Sequence, residues 1–230
     1  TTLTQLGMSF GSITPQDAVL DIDYGRLTIV IDPGATSVAL HCENIYSKRF
    51  DFTYTENEPL TIRYKVPANC DLSSEPEPEF VLSVPDANTF HFKRLSITAA
   101  MGNVEFDNSN TIAADSIDLD LAMGCFTGST VQAEQFTANI SMGDFDLGLL
   151  AGVETAKVEA AMGDIDLTVD GRPDDYALDL QTSMGECDVQ RQDDEQHLHP
   201  NSRRAPQRDP YRADGRCSAD DDAVIPYCRG

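Results

Sequence analysis

The chain has 230 residues, with 39 Asp and Glu against 16 Lys and Arg, and a formal net charge of −23. That length accommodates one domain with a continuous core. So acidic a surface repels phosphate, which excludes nucleic acid and argues against direct contact with anionic membrane. No apolar run reaches the length that spans a bilayer. The chain begins at Thr1, and its expected link to a membrane is an N-terminal anchor missing from this sequence.

Residues 1–16 read as a linker. Leu20, Ile22, Tyr24, Gly25, Leu27 and Ile29 then alternate with polar residues, the pattern of strands with one buried face. Less regular apolar runs follow at Phe50–Tyr54, Leu60–Val66, Phe80–Val84 and Phe90–Ile97, punctuated by Pro67, Pro76, Pro78 and Pro85. Terminal repeats of a solenoid are atypical because they must cover an open sheet edge. Residues 17–94 are therefore read as an irregular β-rich N-terminal cap with the first coils.

Residues 95–189 repeat. Met-Gly occurs at 101, 123, 142, 162 and 184, at spacings of 22, 19, 20 and 22 residues. A period near twenty marks a solenoid in which each coil buries its apolar face only against its neighbours. Two, four and six residues before each Met the chain is mostly apolar, as in Leu95, Ile97 and Ala99 or Phe136, Ala138 and Ile140. After the Gly the apolar phase slips by one, placing Val104, Phe126, Phe145, Ile165 and Cys187 inside. A slip of one turns a strand's core face outward unless the chain bends, and Gly permits the bend. The fold class is all-β, a parallel β-helix of about twenty-residue coils. The Met is expected inside, stacked from coil to coil.

Residues 190–230 break this pattern. The stretch from Gln190 to Arg216 is poor in apolar residues and rich in Arg, Asp, Pro and Gln, a composition that reads as a disordered tail. So abrupt a change also fits an aberrant reading frame after Val189.

Two outward columns flank the Gly corner. One holds Asn103, Cys125, Asp144, Asp164 and Glu186, and the other Glu105, Thr127, Asp146, Asp166 and Asp188. In register, Asp144 stacks on Asp164, and Asp146 on Asp166 and then Asp188. Carboxylates at that spacing repel by about 1 to 3 kcal/mol, and Ca²⁺, which takes several oxygen ligands, relieves this. These five Asp are the candidate metal face, set against a plain solvated acidic surface; no other cofactor is expected. The His residues, His41, His91, His197 and His199, fit no zinc spacing. The six Cys impose no disulfide framework, with Cys42/Cys70 and Cys217/Cys228 as open pairings.

No residue is singled out as catalytic. A carbohydrate-active β-helix enzyme, of lyase or hydrolase type, is the alternative, since paired carboxylates serve as acid and base. Its acids should form a local exception with a base nearby. Here the acids recur on every coil, and residues 95–189 carry 18 of them against Lys157 and Arg172 alone.

The runs LSITAAMGNVEF, IDLDLAMGCF, FTANISMGDFDL, VEAAMGDIDL and LDLQTSMGECDV, with FVLSVP and LDIDYGRLTIVI before them, resemble the bacterial β-strand-repeat family of candidate adhesins, a domain of unknown function. The resemblance covers roughly residues 17–189. It implies a right-handed parallel β-helix on the outer side of the bacterial cytoplasmic membrane, behind an N-terminal anchor. Some members are linked to envelope-stress sensing, and none has catalytic residues to carry over. Cys125, Phe126 and Thr127 depart from the acidic corner. The expected function is a non-enzymatic envelope scaffold or adhesin-like binding module. Its partner would be an envelope or cell-surface protein or glycan, with an accessory stress sensor as a further alternative.

Overall fold

The computed structural model describes residues 3–10, 17–55, 58–172 and 175–192. The strands are β1 (Leu3–Ser9), β2 (Asp17–Ile22), β3 (Arg26–Ile31), β4 (Ala39–Tyr46), β5 (Phe50–Thr53), β6 (Leu60–Tyr64), β7 (Glu79–Val84) and β8 (Phe92–Met101). They continue as β9 (Val104–Phe106), β10 (Thr111–Met123), β11 (Phe126–Met142), β12 (Phe145–Ala151), β13 (Thr155–Met162), β14 (Ile165–Asp170), β15 (Ala177–Met184) and β16 (Cys187–Gln192). Together they build a β-solenoid. One face runs β5, β6, β2, β8, β10, β11, β13, β15; the other runs β1, β4, β7, β3, β9, β11, β12, β14, β16. Pairing is parallel everywhere except at the N-terminal end, where β1/β4, β4/β7 and β5/β6 are antiparallel.

The coil of β2 and β3 stacks directly on that of β8 and β9, with Leu20 opposite Ile97 and Leu27 opposite Val104. The intervening chain goes outward to form β4–β7 and then returns. Antiparallel strands thus close this end, as a capped sheet edge requires. Leu3–Ser9, read above as linker, is instead strand β1, paired with β4. Its Leu6 and Met8 pack on the core, a two-residue signal too short to separate a strand from a linker by pattern. The tail and its proposed disorder, with His197, His199, Cys217 and Cys228, lie outside the described residues.

The alternation places the core as its phase demands. Leu95, Ile117, Phe136 and Ala156 are buried before the corner, and Val104, Phe126, Phe145 and Ile165 after it. The centre is aromatic: Phe126 stacks on Phe145 at 5.0 Å and meets Phe106 edge-on at 5.0 Å. Gly128 makes room for this group, since a Cβ there would meet Phe106, Phe126 and Leu147 within 3.4 Å. Burial lessens at the C-terminal coil, where Leu178, Cys187 and Val189 are only partly covered. Cys42 and Cys70 are free thiols, and burial pushes the Cys42 thiol up to about 12.

The corner glycines are the tightest feature. Gly102, Gly124, Gly143, Gly163 and Gly185 have φ between +141° and +148°, a region closed to residues with a Cβ. A Cβ on Gly163 would lie 2.0 Å from the carbonyl oxygen of Gly143, and one on Gly102 would lie 1.9 Å from that of Gly25. Each corner is packed backbone on backbone.

That packing overturns the expected place of methionine. The five Met pair in register, Met101 with Met123, Met142, Met162 and Met184 in turn, but none of them belongs to the core. Met101, Met123 and Met184 are 37%, 36% and 48% exposed, and Met142 and Met162 are half-buried. The interior of the corner is filled by stacked glycine backbone, so the residue before each Gly has no inner space and swings outside.

Replacing Gly163 by Ala combines backbone strain of about 1–3 kcal/mol with a collision against Gly143. Thermal unfolding should show a loss of several degrees. Gly128→Ala, at ordinary φ and against side chains that can shift, should cost less.

Candidate binding face at the glycine corner

The backbone ladder across the corner explains the residue that follows each glycine. The Gly N–H groups donate to the Met carbonyl of the next coil, Gly124 to Met142 and Gly143 to Met162, each at 2.9 Å. Two residues on, the N–H of Phe145 donates to the Asp164 carbonyl at 2.8 Å and that of Ile165 to the Glu186 carbonyl at 2.9 Å. The amide between them points back to the preceding coil. There the glycine carbonyl is turned into the stack, so a side chain must accept.

It does so in four successive coils. Cys125 N–H donates to Asn103 Oδ1 at 2.9 Å, Asp144 N–H to Cys125 Sγ at 3.3 Å, Asp164 N–H to Asp144 Oδ1 at 2.9 Å, and Glu186 N–H to Asp164 Oδ1 at 2.7 Å. Asp144 and Asp164, named above as candidate metal ligands, each commit one oxygen to capping the next coil. Their column is a structural ladder built of short acceptors, and Cys125 fits it because sulfur also accepts.

The second column differs. Asp146 stands opposite Asp166, and Asp166 opposite Asp188, on the outer side of β12, β14 and β16, and all three are exposed. Partial burial, then the neighbouring Asp146 and Asp188 charges, push the Asp166 carboxyl above its ordinary 3.8. Among the described residues no group of three or more His, Cys, Asp and Glu is arranged to hold a metal ion. The register thus brings together the Asp146/Asp166/Asp188 set and joins Asp144 to Asp164 through a backbone amide.

Some other polar contacts are local and others join distant parts of the chain. Lys157 pairs with Glu159 at 2.8 Å on the same strand, and His41 with Glu43 at 3.0 Å. A shallow cleft of about 230 Å³ beside β13 is lined by Phe136, Ala156 and Leu178, with Lys157 and Asp179 as its charged groups. In the cap, Arg49 makes a two-pronged contact with Glu75 at 2.6 and 3.0 Å, lies 4.5 Å over the Tyr46 ring, and donates to Cys70 Sγ at 3.1 Å. The Arg49 side-chain bond holds the Glu75 carboxyl below its usual range. This cluster pins the segment between β6 and β7, and no spacing in the sequence announced it. Asp107 is another anchor: burial pushes its carboxyl up, but bonds from the Ile31, Ser109 and Asn110 amides outweigh this and hold it below 3.8.

Residues 82–212, which include the repeated glycine corners, match the family described as Toastrack DUF4097. The chain belongs to the Toastrack family. The chain is similar to solved structures that include a candidate cell adhesion protein from Clostridium sporogenes, 8% identical, covering 83% of this chain and 100% of that one at TM-score 0.49. A candidate adhesin from Parabacteroides distasonis is 11% identical, over 84% and 93% of the two chains at TM-score 0.31. One from Parabacteroides merdae is 10% identical, over 83% and 92% at TM-score 0.27. No curated protein sequence matches the chain.

Two substitutions separate the columns. Asp144→Ala removes the acceptor of the exposed Asp164 amide and should cost about 0.5–1.5 kcal/mol, with Asp144→Asn milder because an amide oxygen still accepts; chemical denaturation measures both. Asp166→Asn should raise the melting temperature slightly at neutral pH. A raised folded-state pKa means that ionised Asp166 is disfavoured in the fold, a penalty complete above that pKa and absent below the ordinary 3.8. The gain should therefore vanish as pH falls through that window.

Proposed function

We propose that this Toastrack solenoid is a non-enzymatic scaffold or adhesin-like binding module on the extracytoplasmic side of the bacterial cell envelope. An envelope or cell-surface protein or glycan would be its partner. One observation carries this reading: the register sets Asp146, Asp166 and Asp188 one above the other on successive coils, so the same group is presented repeatedly. Many weak, identical contacts along one rigid axis add up to useful avidity. A catalytic pair would instead be a local departure from the repeat, and the cleft beside β13 offers Lys157 and Asp179 without a second carboxylate.

Calcium enters as a modulator of the outer acidic column and not as a cofactor of a reaction. Millimolar Ca²⁺, with Mg²⁺ as control, should raise the melting temperature if Asp146, Asp166 and Asp188 share an ion. An unchanged melt leaves these carboxylates to solvent.

The avidity reading has a direct test. Deleting Gly143–Met162 rejoins Met142 to Gly163 and removes one coil while restoring a Met-Gly corner. The shortened chain should fold, melt somewhat lower, and bind isolated bacterial envelopes several-fold more weakly than the full chain. Equal binding by the two would contradict a contact surface distributed over the coils.

A further inference from the structure

The methionine side chains take no part in the core or in the hydrogen bonds of the corner, and along the ridge Met101, Met123 and Met184 are exposed while Met142 and Met162 are half-buried. They stand in one line, coil upon coil, at the strand spacing of about 4.8 Å, and Tyr24 takes the same place in the coil of β2 and β3, because the Gly25 N–H donates to the Met101 carbonyl. The ridge is thus Tyr24, Met101, Met123, Met142, Met162 and Met184. Small residues, Ala100, Ala122, Ser141, Ala161 and Ser183, flank it on one side and are all exposed. On the other side runs the column that follows the glycines, and this column is polarised. It begins with Arg26, passes through Asn103 and Cys125, and ends with Asp144, Asp164 and Glu186.

We propose that this ridge is a self-association surface, on which a second copy of the chain packs antiparallel about a two-fold axis. Charge complementarity selects both the occupant and the sense. With the axis between the third and fourth ridge positions, Met123 meets Met142 of the second copy, Met101 meets Met162, and Tyr24 meets Met184. Beside them Arg26 faces Glu186, and Asn103 faces Asp164. The reverse, parallel sense would gather Asp144, Asp164 and Glu186 of both copies at one end.

Arg26 is placed to take part. Its side chain is 43% exposed, and its ion pair with Glu77 is a long one at 3.9 Å, which a closer acid can replace. The contact is isologous, as a two-fold requires. Thioethers adapt to one another and to a facing tyrosine ring, and the small flanking side chains let the two sheets approach.

The test is sedimentation of the full chain over a wide concentration range, with thermal unfolding of every variant as the control for folding. The wild type should show a monomer–dimer equilibrium. Met123→Glu with Met142→Glu should weaken it at least tenfold; if that pair lowers the melt, Met123→Gln with Met142→Gln serves in its place. Arg26→Glu and Glu186→Arg should each weaken the dimer, and the two together in one chain should restore it. A monomer at every concentration, or a dimer indifferent to the methionine variants, overturns the proposal. A double charge exchange no tighter than either single one overturns the antiparallel register.

Discussion

Backbone stacked on backbone at the glycine corner is the constraint from which the rest of this solenoid follows. Each corner glycine from Gly102 to Gly185 sits so close to its neighbour that a Cβ would lie about 2 Å from the glycine carbonyl oxygen of the coil before. Such proximity places the Cα hydrogens of one glycine against the carbonyl of another, a weak but repeated contact. It leaves no interior volume at the corner. The coils therefore narrow to a backbone-only edge there, while the aromatic group around Phe126 fills the wider middle of the cross-section.

Three consequences come from this one edge. Methionine is expelled to the outside, where it lines the ridge. The glycine carbonyl is unavailable to the ladder, so the amide of the following residue needs a side-chain acceptor from the coil before, supplied by Asn103, Cys125, Asp144 and Asp164. Acidic residues near the corner thus have two different jobs. Asp144 and Asp164, in the corner itself, hold the coils in register, while Asp146, Asp166 and Asp188, on β12, β14 and β16 and facing solvent, make a mutually repulsive column.

Much of this architecture was legible in the sequence. The five Met-Gly pairs, the slip of the apolar phase across each glycine, and the single earlier copy at Tyr24-Gly25 together dictate coils of two strands with a glycine bend. The direction of the methionines was not legible, because a count in steps of two carries straight through a residue at which the chain turns. The role of Asp144 and Asp164 was hidden for a different reason: a capping carboxylate and a solvated one have the same letter. The recurrence of Asn or Asp directly after the corner glycine was the available sign, since both are short enough to reach an amide one coil away. The cap was read only as β-rich, because its β4–β7 excursion depends on pairings between residues far apart in the chain. The Arg49–Glu75–Cys70 cluster needs the same long-range closure.

Native-state amide hydrogen exchange is the measurement that bears most directly on the corner. Gly143 and Gly163 are buried in the corner stack while Asp164 and Glu186 are exposed beside it, yet the amide of each has a bond to an adjacent coil, and opening any of them separates the coils. They should exchange as slowly as the buried strand amides of Phe145 and Ile165. Exchange at the fast rate of an exposed turn would show that the glycine corner is a loop joining two sheets, and not the edge that holds the solenoid together.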